Sequence, residues 1–176
     1  MKKILVKVFV VLIFFFALIL LYKTIAIIKA NEQIAIAKQS LPKFHFYTQD
    51  LKQLNYEQVS STMPTCIFYY NAECEYCQDE AKHLQQKISA FDNIQIFMVS
   101  VNTPKVTKRF AEEYKLNKYK NIVWLYDKDF NFHKWFGNAV TPSVFIYNNK
   151  HNLIKEYRGE VKMELVLKNI FDDKKG

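Results

Sequence analysis

The stretch that decides the fold runs from Ile67 to Ile88, IFYYNAECEYCQDEAKHLQQKI. Ile67-Phe68-Tyr69-Tyr70 is a short, aromatic-rich apolar run ending at Asn71, the pattern of a buried strand. From Cys74 the period changes. Cys77, Ala81, Leu84 and Ile88 fall at i, i+4, i+7 and i+11, one stripe of a helix. Gln78, Asp79, Lys82, Gln85 and Gln86 fill the other faces. A C-x-x-C therefore straddles a strand-to-helix junction, and the periodicity alone separates its sulfurs. Cys77 belongs to the buried stripe; Cys74 sits at the helix start, off that stripe and toward the surface.

That placement has chemical consequences. A helix start offers unpaired backbone N–H groups and the positive end of the macrodipole, which favour a thiolate. An exposed Cys74 can attack a partner disulfide, and Cys77 can resolve the mixed disulfide from within. Glu73, Glu75, Asp79 and Glu80 oppose a new anion there, and no Lys, Arg or His lies between Asn71 and Ala81. The expectation is a reducing couple, nearer the roughly −270 mV of thioredoxin than the about −120 mV of a strong oxidase. Two blander readings of the C-x-x-C stay open, half a zinc site and a structural disulfide. Zinc wants four ligands, and only Cys66 and four scattered His remain to supply them. Cys66, the odd third cysteine, sits beside the strand and reads as a buried, inert thiol.

Outward from this unit, Ile94–Val101 reads as a second buried strand, followed by a cap at Asn102-Thr103 and Pro104 at a first helical position. Val106, Phe110 and Tyr114 continue that helix on one face. Ile122–Tyr126 is a third strand. Thr141-Pro142 leads into a fourth, Ser143–Tyr147, and a tight turn at Asn148-Asn149 returns the chain along Leu153–Tyr157. Glu160–Phe171 closes as a helix. Upstream, Lys43–Tyr47 alternates like a strand, and Asp50–Val59 reads as a turn and short helix. The fold class expected is α/β, a three-layer sandwich with a mixed central sheet and helices on both faces.

The N-terminus is a different solvent problem. Ile4 to Tyr22 carries a single charge, Lys7, and Val8–Leu21 is wholly apolar, long enough to span a bilayer. Lys2, Lys3 and Lys7 favour a cytoplasmic N-terminus, which places the rest of the chain outside. A cleaved signal peptide is the alternative, with Ala35-Ile36-Ala37 as a distant small-x-small site. The expected organisation is residues 1–22 as membrane anchor, 23–40 as helical stalk and 41–176 as the folded domain. The net charge of +8 comes largely from the tail. Residues 1–39 hold six Lys and one Glu, leaving 19 basic and 16 acidic residues, or +3, for the remainder. That balance does not suggest nucleic-acid binding.

Taken together, Cys74-Glu75-Tyr76-Cys77 at a strand–helix junction, Glu80 three residues on, and Thr141-Pro142 before a hairpin resemble the thioredoxin-fold superfamily. They are most similar to its exported, membrane-anchored TlpA/ResA type among the redoxin-like proteins. The resemblance covers roughly Leu41 to Ile170. It implies a thioredoxin-like sandwich and a thiol–disulfide oxidoreductase, reductant or isomerase of protein disulfides, on the periplasmic side of the cell membrane. It implies no cofactor and no metal. Cys74 would be nucleophile and Cys77 resolving thiol. Pro142 would be cis, with the Thr141 backbone and Tyr76 meeting substrate. Glu80 would tune Cys77 or accept its proton, unless it only complements the helix dipole. Partners implied are protein thiols and disulfides, and a membrane-embedded or exported thiol reductant that recycles the pair. Two departures stand out: Glu73 replaces the usual aromatic before the first cysteine, and Phe68 replaces thioredoxin's buried acid. A thiol peroxidase is the alternative enzyme, but P-x-x-x-[ST]-x-x-C is missing, with Ile67 standing seven residues before Cys74 where the Pro would be. A non-catalytic binding module is the third reading.

Overall fold

A computed structural model describes residues 2–137 and 140–173 of the chain. The first helix, α1, runs unbroken over Lys2–Ala37. It contains neither Gly nor Pro, so nothing interrupts it. Its side chains from Val8 to Leu21 are apolar on all faces and bare. Within Lys7–Ala37 an 18-residue window reaches a mean hydropathy of 2.7. At about 1.5 Å per residue such a helix can cross a hydrocarbon layer roughly 30 Å thick. The segment expected as a stalk from Lys23 continues the same helix as far as Ala37.

Residues 37–176 form a separate compact unit. Its strands are β1 (His45–Thr48), β2 (Gln53–Asn55), β3 (Thr65–Tyr70), β4 (Gln95–Ser100), β5 (Ile122–Tyr126), β6 (Ser143–Tyr147) and β7 (Leu153–Arg158). They make one sheet in the order β2-β1-β5-β4-β3-β6-β7. The three central strands β3, β4 and β5 are parallel; β1, β2, β6 and β7 join antiparallel. The helices of the unit are α2 (Glu75–Lys87), α3 (Pro104–Glu113), α4 (Phe132–Phe136) and α5 (Met163–Asp173). Strands β3, β4 and β5 step in one direction across the sheet. Two right-handed crossovers in the same direction place their helices, α2 and α3, on the same face.

Each face has its own core. Beneath the sheet, Cys77, Ala81 and Leu84 of α2, Phe110 and Ala111 of α3, and Val166 and Ile170 of α5 pack on Cys66, Phe68, Tyr70, Ile96, Met98, Trp124, Val144 and Ile146. The opposite face is aromatic. Phe132 and Phe136 of α4 join Phe44, Phe46, Ile67, Tyr69, Phe97 and Phe145 there. Tyr69 and Phe132 stack with ring centres 3.9 Å apart, and Phe132 and Phe136 at 4.5 Å. Full burial of each such side chain contributes about 1.5–3 kcal/mol, so α4 is held by what it covers and not by its length. This is the thioredoxin-like three-layer sandwich, with a seven-stranded mixed sheet.

Four details depart from the sequence expectations. The strand expected at Lys43–Tyr47 lies at His45–Thr48, because Phe44 is drawn into the aromatic core. Asp50–Val59 supplies strand β2, paired to β1 as a hairpin, before a 3-10 turn at Tyr56–Gln58. Helix α4 was not expected. The connection from β6 to β7 is longer than a tight Asn148-Asn149 turn: it spans Asn148–Asn152, with the Asn148 side chain accepting the N–H groups of Lys150 and Asn152.

Candidate active site

Strand β3 ends at Tyr70 and the chain turns through Asn71–Cys74 into α2. Three contacts shape that turn. The N–H of Cys74 donates to the Asn71 carbonyl, that of Glu73 to Asn71 Oδ1, and that of Gln78 to the Cys74 carbonyl. Cys74 is the N-cap residue, in extended conformation, with Glu75 in the first turn. A second set of contacts comes from the end of β4. Asn102 Oδ1 accepts the N–H of Ala72 at 2.9 Å and the hydroxyl of buried Ser100 at 2.8 Å. Gln78 Nε2 closes the loop by donating to the Ala72 carbonyl at 3.0 Å. The sequence pointed to Asn102 only as part of a helix cap. Thr103 takes the N-cap place, and Asn102 braces the turn carrying the first cysteine.

The two sulfurs occupy unlike surroundings. Cys74 is half-buried, and its thiol faces the Thr141 carbonyl at 4.0 Å. The Thr141–Pro142 peptide is cis, and the Pro142 carbonyl accepts the N–H of Gly159 at 2.8 Å. Cys77 is 2% exposed. Burial pushes its thiol up to about 12, helped by the neighbouring Cys74 sulfur and the Glu80 carboxylate. The N–H of Asn71, 3.5 Å from Cys77 Sγ, acts the other way by favouring the thiolate. Tyr76, between the cysteines, is exposed.

Glu80 lies on the same face of α2 as Cys77, one turn on, and is buried. Its Oε1 accepts the N–H of Val161 at 3.4 Å. Burial raises the carboxyl to about 8, with Glu160 adding to the rise and the Val161 hydrogen bond opposing it. A group at that level both takes and gives a proton near neutral pH. Of the residues singled out in the sequence, the fold thus gathers Cys74, Cys77, Glu80, Thr141 and Pro142 about one junction, with Tyr76 on its outer lip. Cys66 lies elsewhere, fully buried in β3, where burial raises its thiol and keeps it protonated. All three cysteines are free thiols, and among the described residues no cluster of three or more His, Cys, Asp or Glu side chains could hold a metal ion.

The profile of the AhpC/TSA family matches residues 37–156. The chain belongs to the AhpC/TSA family. That match takes in the C-x-x-C, Glu80, Thr141 and Pro142, and leaves all but the last residue of α1 outside. No curated protein matches this AhpC/TSA chain by sequence. Solved structures share its fold. A secreted Mycobacterium tuberculosis disulfide oxidoreductase homologous to E. coli DsbE is 15% identical, with a TM-score of 0.62 over 74% of this chain and 96% of that one. StoA from Bacillus subtilis is 17% identical, TM-score 0.55, over 72% and 94%. A thiol peroxidase from Chromobacterium violaceum is 14% identical, TM-score 0.65, over 79% and 87%. At such identities the likeness is one of fold, and both disulfide-exchanging and peroxide-consuming proteins have it.

Proposed function

We propose that this AhpC/TSA-family protein is a thiol–disulfide oxidoreductase that exchanges with protein disulfides, held at the cell membrane by residues 1–22 through the stalk 23–40, with the domain 41–176 on the extracytoplasmic side. The observation that carries this reading is the half-buried Cys74 facing the Thr141 carbonyl beside cis Pro142, with Cys77 buried directly behind it. The reaction runs in two displacements. Cys74, as thiolate, attacks one sulfur of a substrate disulfide, and the other sulfur leaves as a thiolate. The Thr141 backbone, with Tyr76 on the rim, aligns the extended substrate segment. Cys77 then gives its proton to Glu80 and attacks Cys74 Sγ, which releases the second substrate thiol and closes the Cys74–Cys77 disulfide. An exported or membrane-embedded thiol reductant restores the pair. The surrounding acidic residues favour the reducing direction.

The test is turnover of a protein disulfide by the full chain in detergent micelles, with a thiol reductant as electron source. Loss of turnover in Cys74→Ser is the expected result; intact turnover refutes the assignment. A second reading, thiol peroxidase, is favoured by the family match itself and opposed by the missing P-x-x-x-[ST]-x-x-C. Peroxide consumption outpacing disulfide reduction in the same preparation would put it first.

A further inference from the structure

Glu80 is buried close to the seam where α2 meets the residues leading into α5. Its carboxylate reaches the backbone of Val161, and the preceding residue, Glu160, carries its own half-exposed carboxylate across that seam. His83, one helical turn beyond Glu80 on α2, faces Glu160 with Nδ1 3.8 Å from Oε1. Cys77, Glu80 and His83 therefore follow one another at intervals of three along one helix face, from the buried sulfur out to the surface. A cleft of about 670 Å³ opens at the outer end, lined by His83, Lys87, Lys162, Met163 and Glu164 among others. Met163 itself is 1% exposed, so the cleft reaches down to the buried layer.

We propose that Glu160, with His83 as its partner, is a positioning residue for the resolving step: it sets how tightly Glu80 holds a proton and thereby the pH at which Cys77 closes the disulfide. The inference rests on Glu80 being the acceptor of the Cys77 proton. In that step the Cys77 S–H proton passes to the Glu80 carboxylate, and a bond forms between Cys77 Sγ and Cys74 Sγ. The bond from Cys74 to the substrate sulfur breaks, and its electron pair leaves on the substrate thiolate. The two cysteines are oxidised by two electrons and the substrate disulfide is reduced by two. Glu80 must then release its proton to water before the next cycle. Neither Glu160 nor His83 touches a reacting sulfur, and both act through Glu80. A carboxylate beside a buried carboxyl favours its protonated form. A positive charge on His83 offsets that carboxylate.

The other charges at the seam are largely matched among themselves. Lys87 pairs with Glu164 at 3.0 Å, and Lys82 with Asp79 at 2.7 Å. His83 also feels Asp79 and Glu164, and Lys162 lines the cleft. Glu160 is the charged group whose field raises Glu80.

The experiment mixes the fully reduced chain, in detergent micelles, with excess dithiobis-nitrobenzoate. Cys74 releases the first coloured thiolate and Cys77, on closing the disulfide, the second, so the slower phase reads the resolving step. Its rate is followed from weakly acid to alkaline pH. In the wild-type chain the rate should rise through a midpoint near 8. E160Q should lower that midpoint by roughly half a pH unit, and E160K by more. H83A removes the partner of Glu160, and any shift it produces should vanish in the E160Q background, so the double variant H83A/E160Q should coincide with E160Q. All of these shifts should shrink in high salt. Overlaying profiles for wild type, E160Q and E160K, with E80Q flattening the curve, would overturn the role of Glu160 and leave the acceptor role of Glu80 standing. An E80Q profile identical to wild type would remove the acceptor, and this inference with it.

Discussion

Replacing Glu80 by glutamine should remove a large pH dependence from folding stability. The unfolded chain releases this proton near its ordinary 4.5, whereas the folded protein holds it until about 8. Between those values the native state binds the extra proton, so unfolding becomes easier as pH rises across that window. The sign is that of a buried acid: no penalty below 4.5, the full penalty above about 8. The gap of 3.5 between those two values, at 1.36 kcal/mol for each pH unit, sets a ceiling of about 5 kcal/mol. Glutamine keeps the shape and can still accept the Val161 N–H without carrying charge. The assay is thermal unfolding of both proteins across that range, followed by circular dichroism in detergent. At about 2–4 °C per kcal/mol for a domain of this size, the melting difference in favour of E80Q should grow by roughly 10 °C from the acid end to the alkaline end. A difference that stays flat across the range would refute the burial argument. So would one that shrinks as pH rises.

Three further outcomes follow from the same packing. The Tyr70 hydroxyl is buried with no hydrogen-bond partner among the described residues while its ring packs on Phe110 at 4.8 Å, so Tyr70→Phe should stabilise the domain by about 1 kcal/mol, read as a raised melting temperature. Asn102→Ala strips the Ala72 N–H and the Ser100 hydroxyl of their acceptor; we expect a loss of about 1–3 kcal/mol, with Cys74 reacting at a changed rate toward an alkylating agent, and an unchanged rate would disprove the bracing role. Cys66 should resist alkylation in the folded protein and react on adding denaturant, and labelling of native Cys66 at the pace of Cys74 would contradict its burial.

What could be read in the chain tracks how local each cause is. The β3–α2 junction was legible because a change of period from aromatic run to helical stripe happens within a few residues. Strand β2 was not, since Gln53-Leu54-Asn55 has one apolar residue and becomes a strand only by pairing with His45–Tyr47. Leu51, at a φ of 60°, makes that hairpin without the glycine that would have announced it. Helix α4 is five residues long and takes its support from buried Asp127, whose carboxylate accepts the N–H groups of Asn131 and Phe132. Asn131 at its N-cap makes no side-chain cap hydrogen bond, and the acceptor comes instead from Asp127, four residues earlier. The ambiguity at Glu80, dipole partner or buried acid, could not be settled locally, because the group that meets it is 81 positions away. The same distance problem hid Asn102, which reaches back 30 positions to the cysteine turn.

The Cys74 sulfur and the carbonyl it faces are carried by different elements of the sheet. Cys74 and Cys77 stand at the start of α2, which packs on one layer, while Thr141-Pro142 leads into β6, whose side chains enter both layers. The aromatic layer reaches both sides of the junction, through Phe145 of β6 and through Tyr69 of β3, which stacks on Phe132 just before the cysteine turn. Substitutions on the buried face of α2 and in α5 act on the layer beneath the cysteines, while exposed Tyr76 of the same helix stays at the rim. Because β3 and β6 each contribute to both layers, a repacking on either face is felt at the junction they share.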